Sequence, residues 1–437
     1  MKTLFNLSLN IMTKSFIKWK LIEKLAGILL MHILLLCVVI SPAYCQNRTE
    51  DIPASDLEFL YERLTEKHPK LSLIDERQTF DSLYHEIAEN FKALPRTQAI
   101  MEMIRLVASL HDGHTSFARL WDEKTKFRRL PLKFYFFSEG LYITKIGDKY
   151  QNYAGMKVIR IGNQPIENVV QLAMPYLHGD NDMKIKEILP HRLVIFDFLE
   201  GLGLTEKNGS VNLTIGTPEK EYVLNITPIN TSDSISYKSS KKDNAPQPLY
   251  AMHPDQNYWY KYLEKERLIY FKFNVTLEME AISFKTFVDS LFNDINTLPV
   301  EKLVIDLRNN NGGDNSIIQP LIHSIICNAK INRTGRLFTI IGRNTFSAAV
   351  NLVTELETHT KTIFVGEPTL APPNHYGETN VVRLPYSDIM LLYSTQFWQG
   401  SLPWDKRPWI EPTIKVELSI DDYINGRDPI LQSIINF

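Results

Sequence analysis

Cysteine is nearly missing from this sequence. Only Cys37, Cys45 and Cys327 occur in 437 residues, and two of them lie in the N-terminal segment. A disulfide framework and a CxxC metal site are excluded for the rest of the chain. Charge of one sign is missing too: the formal net charge is −2, which gives no reason to expect nucleic acid as a partner. Several motifs are absent: a GxSxG elbow, an HExxH zinc helix, a GxGxxG dinucleotide loop and a GxxxxGK[ST] phosphate loop. A hydrophobic content of 44% with 22% charged residues is that of an ordinary globular chain, long enough for two or three cores.

The N-terminus departs from this average. Lys2, Lys14, Lys18, Lys20 and Lys24 precede the apolar run Leu25–Ile40, which exits through SPAYCQN. A positive segment, a run of this length and a polar exit describe a secretory signal over residues 1–45, cleaved near Cys45. An uncleaved anchor is the alternative. The run is shorter than the roughly 20 residues that span a bilayer comfortably. Removing residues 1–45 takes five lysines and one glutamate and leaves a formal charge of −6 with Cys327 alone. An exported chain without disulfides suits a bacterial periplasm or cell envelope, or secretion, with membrane contact only through the signal or anchor.

Periodicity divides the remainder. Residues 46–125 read as a small helical domain, with Leu57, Leu60, Tyr61 and Leu64, then Phe80, Leu83, Tyr84 and Ile87, then Ile100–Val107 at helical spacing. Residues 126–231 are β-rich: KFYFF, GLYITKI, KVIRIG, VNLTIG and EYVLNI alternate with turn signals, with one or two helices interposed. Residues 232–247 lack periodicity and read as a linker. In residues 248–437 strands and helices alternate, which indicates an α/β layer with a mostly parallel sheet. Asn380–Leu384 and Ile389–Tyr393 look like an antiparallel pair there.

Five stretches can carry chemistry. DLRNNNGG, Asp306–Gly313, follows the buried-strand signal LVIDL, and its glycines allow backbone N–H groups to turn toward a phosphate or an oxyanion. An ordinary strand-to-helix turn explains it equally well. Ser347, in RNTFSAAV, stands where the run LFTIIG hands over to a helix. It is either an N-cap or a nucleophile whose anion the helix terminus favours, with the N–H of Ala348 pointing the same way. His114 in HDGHTSF and His375 in PPNHYGE are possible bases, each with a local turn role as its alternative. Asp405 and Glu411 in WDKRPWIEP are carboxylates able to orient a histidine.

Taken together, LVIDLRNNNGG, RNTFSAAVNL, TIFVGEPT, DGHT and the terminal EPTIKVELSIDDYINGRDPIL resemble the tail-specific (carboxyl-terminal processing) serine peptidase family, which includes the tricorn core protease. The resemblance covers most of the chain after residue 45. It implies an α/β fold with a ClpP/crotonase-like catalytic core and a PDZ-like middle domain able to accept a peptide as an added strand. Many members of the family use a serine–lysine dyad, but the matching stretch here, GEPTLAPP, holds no lysine, and Lys361 precedes the strand. Tricorn-like members instead use a histidine from the segment before the PDZ region and a carboxylate near the C-terminus. By that analogy Ser347 attacks, His114 is the base with His375 its rival, and Asp405 orients it in preference to Glu411. Gly312, Gly313 and Ala348 supply the oxyanion donors. The implied substrate is a peptide or protein, with no metal or cofactor required. Two rival readings are a silent member that binds peptides or small apolar ligands in the same cleft, and a crotonase-like acyl-CoA enzyme.

Overall fold

The computed structural model describes residues 52–118, 120, 127–217 and 220–437. The secretory signal expected over residues 1–45, with Cys45, lies outside the described residues. Three helices open the described chain: α1 (Ala54–Lys67), α2 (Ile74–Asn90) and α3 (Arg96–Ala108). They occur where apolar residues recur at helical spacing, and Leu57, Leu60, Leu64, Phe80 and Ile87 are buried. The chain then forms a short strand, β1 (Ser116–Phe117).

A β-rich layer follows. It contains β2 (Leu132–Phe137), β3 (Gly140–Gly147), β4 (Lys157–Ile161), β5 (Gln164–Pro165), β6 (Val211–Thr217), β7 (Lys220–Ile226) and β8 (Tyr237–Ser239). The five apolar runs of the sequence are β2, β3, β4, β6 and β7, in that order across the sheet. Between β5 and β6 lie α4 (Ile166–Ala173), α5 (Met183–Glu187), α6 (Leu189–Arg192) and α7 (Phe196–Gly201). This segment is more helical than its composition indicated. The stretch 232–247 is not all linker, because β8 pairs with β3 through Lys145 to Ser239 and its neighbours.

The remaining strands are β9 (Tyr258–Leu263), β10 (Leu268–Phe273), β11 (Lys302–Asp306), β12 (Leu337–Ile341), β13 (Ile363–Gly366), β14 (Asn374–Arg383), β15 (Met390–Gln399) and β16 (Ile414–Lys415). One sheet runs β16-β13-β12-β11-β10-β9, parallel except for the β9–β10 hairpin. Every residue of β10 and β12 is buried, as a parallel sheet covered on both faces demands. One face packs on α8 (Phe284–Thr297), α9 (Gln319–Cys327) and α10 (Ala348–His359), through Phe271, Phe287, Leu291, Ile305, Leu321 and Val353. The other packs on the C-terminal helix α12 (Pro429–Ile435), which follows α11 (Ile420–Asn425), through Tyr270, Val304, Phe338, Ile430 and Ile434. The expected antiparallel pair is β14–β15, longer than anticipated, and β1 adds to it at Ser116–Leu392. Among the described residues no helix is long and apolar enough to cross a membrane.

Two loops leave neighbouring parallel strands at the same end of the sheet: Leu307–Asp314 after β11, and Gly342–Ser347 after β12. Clefts of α/β sheets form at such carboxyl ends. The second loop is tied to the β-rich layer by Arg343, which is 4% exposed. Its guanidinium donates to both carboxylate oxygens of Glu367, at 2.9 and 2.6 Å, and to the Phe136 carbonyl at 2.6 Å, and it lies over the Tyr135 ring. A cavity of about 220 Å³ beside it is lined by Glu187, Lys186, His191, Arg308, Tyr135 and Glu367.

Burial pushes the Glu187 carboxyl up to about 7, with Arg343 pulling down and Glu367 pushing up. A carboxyl with a raised folded-state value binds its proton more tightly in the native chain than in the unfolded one. Stability from this group is therefore fully present at low pH and is lost as pH rises toward 7. Glu187→Gln should gain stability relative to the native chain between pH 5 and pH 8, read by urea unfolding at each pH. A difference that does not grow with pH would show that Glu187 ionises freely.

Candidate active site

Ser347 precedes α10 with φ +54° and ψ −129°, and its side chain makes no capping hydrogen bond. A non-glycine residue at positive φ is strained, and the surrounding structure must impose it. Three hydrogen bonds do so. The Phe346 N–H donates to the Asn310 carbonyl at 3.1 Å, the Leu370 N–H to the Thr345 carbonyl at 3.0 Å, and the Thr345 hydroxyl to the Leu307 carbonyl at 2.9 Å. The turn delivers Ser347 to the first turn of the helix with its hydroxyl uncommitted. Of the two readings left open by the sequence, the capping bond is the one the geometry lacks.

The glycine loop presses against this turn. At Gly312, φ is +100°, and an added Cβ would lie 2.6 Å from Ser347 Cβ and 2.9 Å from the Ala348 nitrogen. At Gly313, φ is +140°, and a Cβ would lie 2.3 Å from the Thr276 carbonyl oxygen. Thr276 bridges the loop in parallel fashion: its N–H donates to the Gly312 carbonyl, and its carbonyl accepts from the Asp314 N–H. In a parallel bridge the residue between those two groups turns its own N–H away from the partner strand. The Gly313 N–H therefore points away from Thr276, and neither it nor the Ala348 N–H has an acceptor among the described residues. Both residues line the same cleft of about 740 Å³ as Ser347 and His114. Gly312 is corrected as an oxyanion donor. Its N–H donates to the Asn310 side-chain oxygen at 2.9 Å, so it shapes the loop instead.

His114 stacks on Phe346, the residue before Ser347, with ring centroids 4.2 Å apart. Its side chain is 8% exposed, neither ring nitrogen meets full hydrogen-bond geometry with a partner among the described residues, and the Tyr376 backbone carbonyl beside the ring favours its charged form. Burial lowers its pKa below the ordinary histidine value, and the charge of Asp112 opposes that shift. His375 stacks on His114 with ring centroids 5.6 Å apart and nearly parallel planes. Its Nδ1–H donates to the Pro372 carbonyl at 3.0 Å, and burial, aided by His114, pushes it down to about 4. His375 is thus a buried neutral support that does not line the cleft.

The carboxylate beside His114 is Asp112, a role not read from the sequence. Its Oδ1 accepts the His114 backbone N–H at 2.9 Å and lies 3.9 Å from His114 Nδ1. Its Oδ2 accepts from His68 Nε2 at 2.9 Å, from the Ser394 hydroxyl at 2.6 Å and from the Thr115 hydroxyl. Burial alone would raise this carboxyl. The His68 bond and charge and the two hydroxyls outweigh it and hold Asp112 well below the usual carboxylate range. A separation of 3.9 Å is beyond a hydrogen bond, so Asp112 acts on the imidazole through its charge. At an effective dielectric near 20 that attraction for an imidazolium is on the order of 4 kcal/mol.

The structure does not bring Asp405 to His114. Asp405 accepts from Ser401 and from the Arg407 guanidinium, which hold it well below the usual carboxylate range, and Arg407 in turn grips Glu357 on α10. Glu411 is engaged by Lys415 and Trp409.

Gly203 has φ +71° with nothing near its missing Cβ, whereas a Cβ at Gly312 meets Ser347. Gly312→Ala pushes against Ser347 and the Ala348 amide, and should lower turnover by about 10²–10³-fold, as the displacement of one neighbouring oxyanion donor would. Gly203→Ala should cost only about 1 kcal/mol of stability. Parallel activity and urea measurements on the two variants check this, and equal losses of turnover would contradict it.

No family model matches the sequence, and no curated protein matches it. Solved structures do. Mature CPAF complexed with lactacystin aligns with a TM-score of 0.60 at 11% identity, covering 87% of this chain and 98% of that one. Mature CPAF alone aligns at 0.59 and 12% identity, covering 87% and 97%. The photosystem II D1 C-terminal processing protease aligns over 84% of this chain and 93% of that one at 12% identity, and its TM-score of 0.38 adds nothing to the comparison. At such identities the likeness concerns architecture alone: the chain has the α/β fold of mature CPAF across nearly the whole length of both.

Proposed function

We propose that this protein is a serine peptidase of the tail-specific type that hydrolyses peptide bonds through an acyl-enzyme. One observation carries the reading: an uncapped serine at positive φ shares a cleft with two unbonded backbone N–H groups and a buried histidine. The shared fold with CPAF and the sequence resemblance support it. A cap or a packing residue would need none of these features together.

Ser347 Oγ attacks the scissile carbonyl while His114 takes its proton. The carbonyl π electrons move onto oxygen, and the oxyanion receives the N–H groups of Gly313 and Ala348 at the positive end of α10. Asp112 stabilises the imidazolium so formed. His114 then returns the proton to the leaving amine as the C–N bond breaks, leaving an ester on Ser347. Water, deprotonated by His114, attacks that ester and restores the serine hydroxyl. The protein's own residues supply each proton transfer. We further propose that the chain is exported, on the strength of its N-terminal charge and hydropathy pattern.

A fluorophosphonate probe should label the native chain and not Ser347→Ala. His114→Ala should lose acylation, and His375→Ala should largely retain it; the reverse pattern would make His375 the base. The rate should rise with pH through a value below the ordinary 6.5 of histidine, because burial favours the neutral, basic imidazole. Asp112→Asn removes the charge that raises His114 and should move that limb lower still while slowing acylation. A limb that stays in place would remove Asp112 from the mechanism.

A further inference from the structure

The charged groups of the cleft are unbalanced. Asp314 comes from the glycine-loop wall and Glu378 from the β14 wall, and among the described residues no lysine or arginine lines the space between them. Among the described residues the one basic group lining it is His114, whose pKa burial lowers against the opposing charge of Asp112. Both carboxylates are exposed to the cleft. Asp314 accepts from the Ser316 hydroxyl and from its N–H, the latter at 2.8 Å, which fixes its direction and lowers its pKa, while the residue stays exposed. Among the described residues the Glu378 carboxylate has no hydrogen-bond partner, and its backbone carbonyl accepts from the Thr395 hydroxyl at 2.7 Å.

Glu378 is also set apart by its backbone. β14 and β15 keep one register from Asn374–Gln399 to Arg383–Met390, yet the ladder skips Glu378, which has φ +54°. That twist departs from the alternation of the strand. A second, chemically independent feature lies on the same wall. The Trp398 indole lines the cleft and packs over Gly377, where an added Cβ would stand 3.1 Å from its ring. Across from it Leu277 is 45% exposed and lines the cleft as well. An indole face with an apolar neighbour receives an alkyl stem and the cation at its end, and open carboxylates complete the recognition.

We propose that the cleft selects peptides with a lysine or arginine at, or one residue removed from, the scissile bond, recognised by Glu378 and Asp314 with Trp398 as the surface for its stem. This rests on the peptidase reading of the same cleft. Both carboxylates and the indole then serve substrate choice, while Ser347, His114 and the two N–H groups serve the chemistry. An acidic side chain at that substrate position meets two like charges with no cation to offset them.

The test uses internally quenched peptides identical except at one position, walked through three positions on each side of the cut, holding lysine, glutamate or norleucine. The full chain is compared with Glu378→Gln and Glu378→Lys. The readout is the lysine-to-glutamate ratio of kcat/KM, so a general loss of activity cancels. Where a peptide binds without being cut, the ratio is read from its slowing of fluorophosphonate labelling. The native ratio at one position should be about tenfold, the combined size of a partly exposed ion pair and a cation–π contact. Glu378→Gln should bring it toward one, and Glu378→Lys should invert it. A native ratio near one at every position, or a ratio unchanged in both variants, overturns the specificity while labelling at Ser347 leaves the peptidase reading standing. A folded chain that cuts no peptide and takes no label at Ser347 overturns both.

Discussion

Between Gly312 and Ser347 there is no room for a methyl group. A side chain at 312 would collide with the serine and with the first amide of its helix. That closeness makes two loops from adjacent strands behave as one structure, and it brings the Gly313 and Ala348 amides to a single cleft. It also explains the strain at Ser347: the Asn310 carbonyl holds Phe346, so the chain can enter the helix only by the positive-φ turn. Relaxing that turn toward a helical cap would recover local energy and lose the site. The hydrophobic faces of the sheet, with α8, α9 and α10 on one side and α12 on the other, make that exchange unfavourable by fixing the strands from which both loops emerge.

Around this contact the electrostatics are layered. Asp112 is buried and charged because three neutral or basic donors converge on one of its oxygens, which frees the other to face His114. At His114 the Asp112 charge and the Tyr376 carbonyl favour the charged ring, while the His375 Nδ1–H is committed to the Pro372 carbonyl. Two parallel imidazoles therefore have different tasks: His114 lines the cleft and His375 does not. Outside the cleft, Arg343 joins the serine loop to the β-rich layer through Glu367 and the Phe136 carbonyl. A buried pair of this kind contributes little net stability, but breaking it exposes each partner to an uncompensated charge.

Much of this was legible in the residues. The strands LVIDL, LFTII and TIFVG, the glycines after the first and the serine after the second all stand where the sequence placed them, because full burial and turn chemistry are local signals. Gly312 was misjudged for a reason no pattern records: its amide direction depends on φ and on the Asn310 side chain. Asp112 lies within HDGHTSF, but nothing local marks its role, which needs His68 from 44 residues earlier and Ser394 from 282 later. Asp405 was placed by analogy, although Arg407, two residues on, was an available partner from the start. The strand β8 inside the expected linker exists only through its pairing with β3, a tertiary contact without a periodic trace.

The proposed reaction centre joins Ser347, Gly313 and Ala348 and is served by His114. It is tested most directly by the crystal structure of the phosphonylated protein. Phosphorus should be bonded to Ser347 Oγ, with one phosphonyl oxygen about 2.7–3.1 Å from both the Gly313 and Ala348 nitrogens and His114 turned toward the adduct. An adduct on another residue, or a phosphonyl oxygen directed to solvent while those two amides stay unbonded, would contradict it.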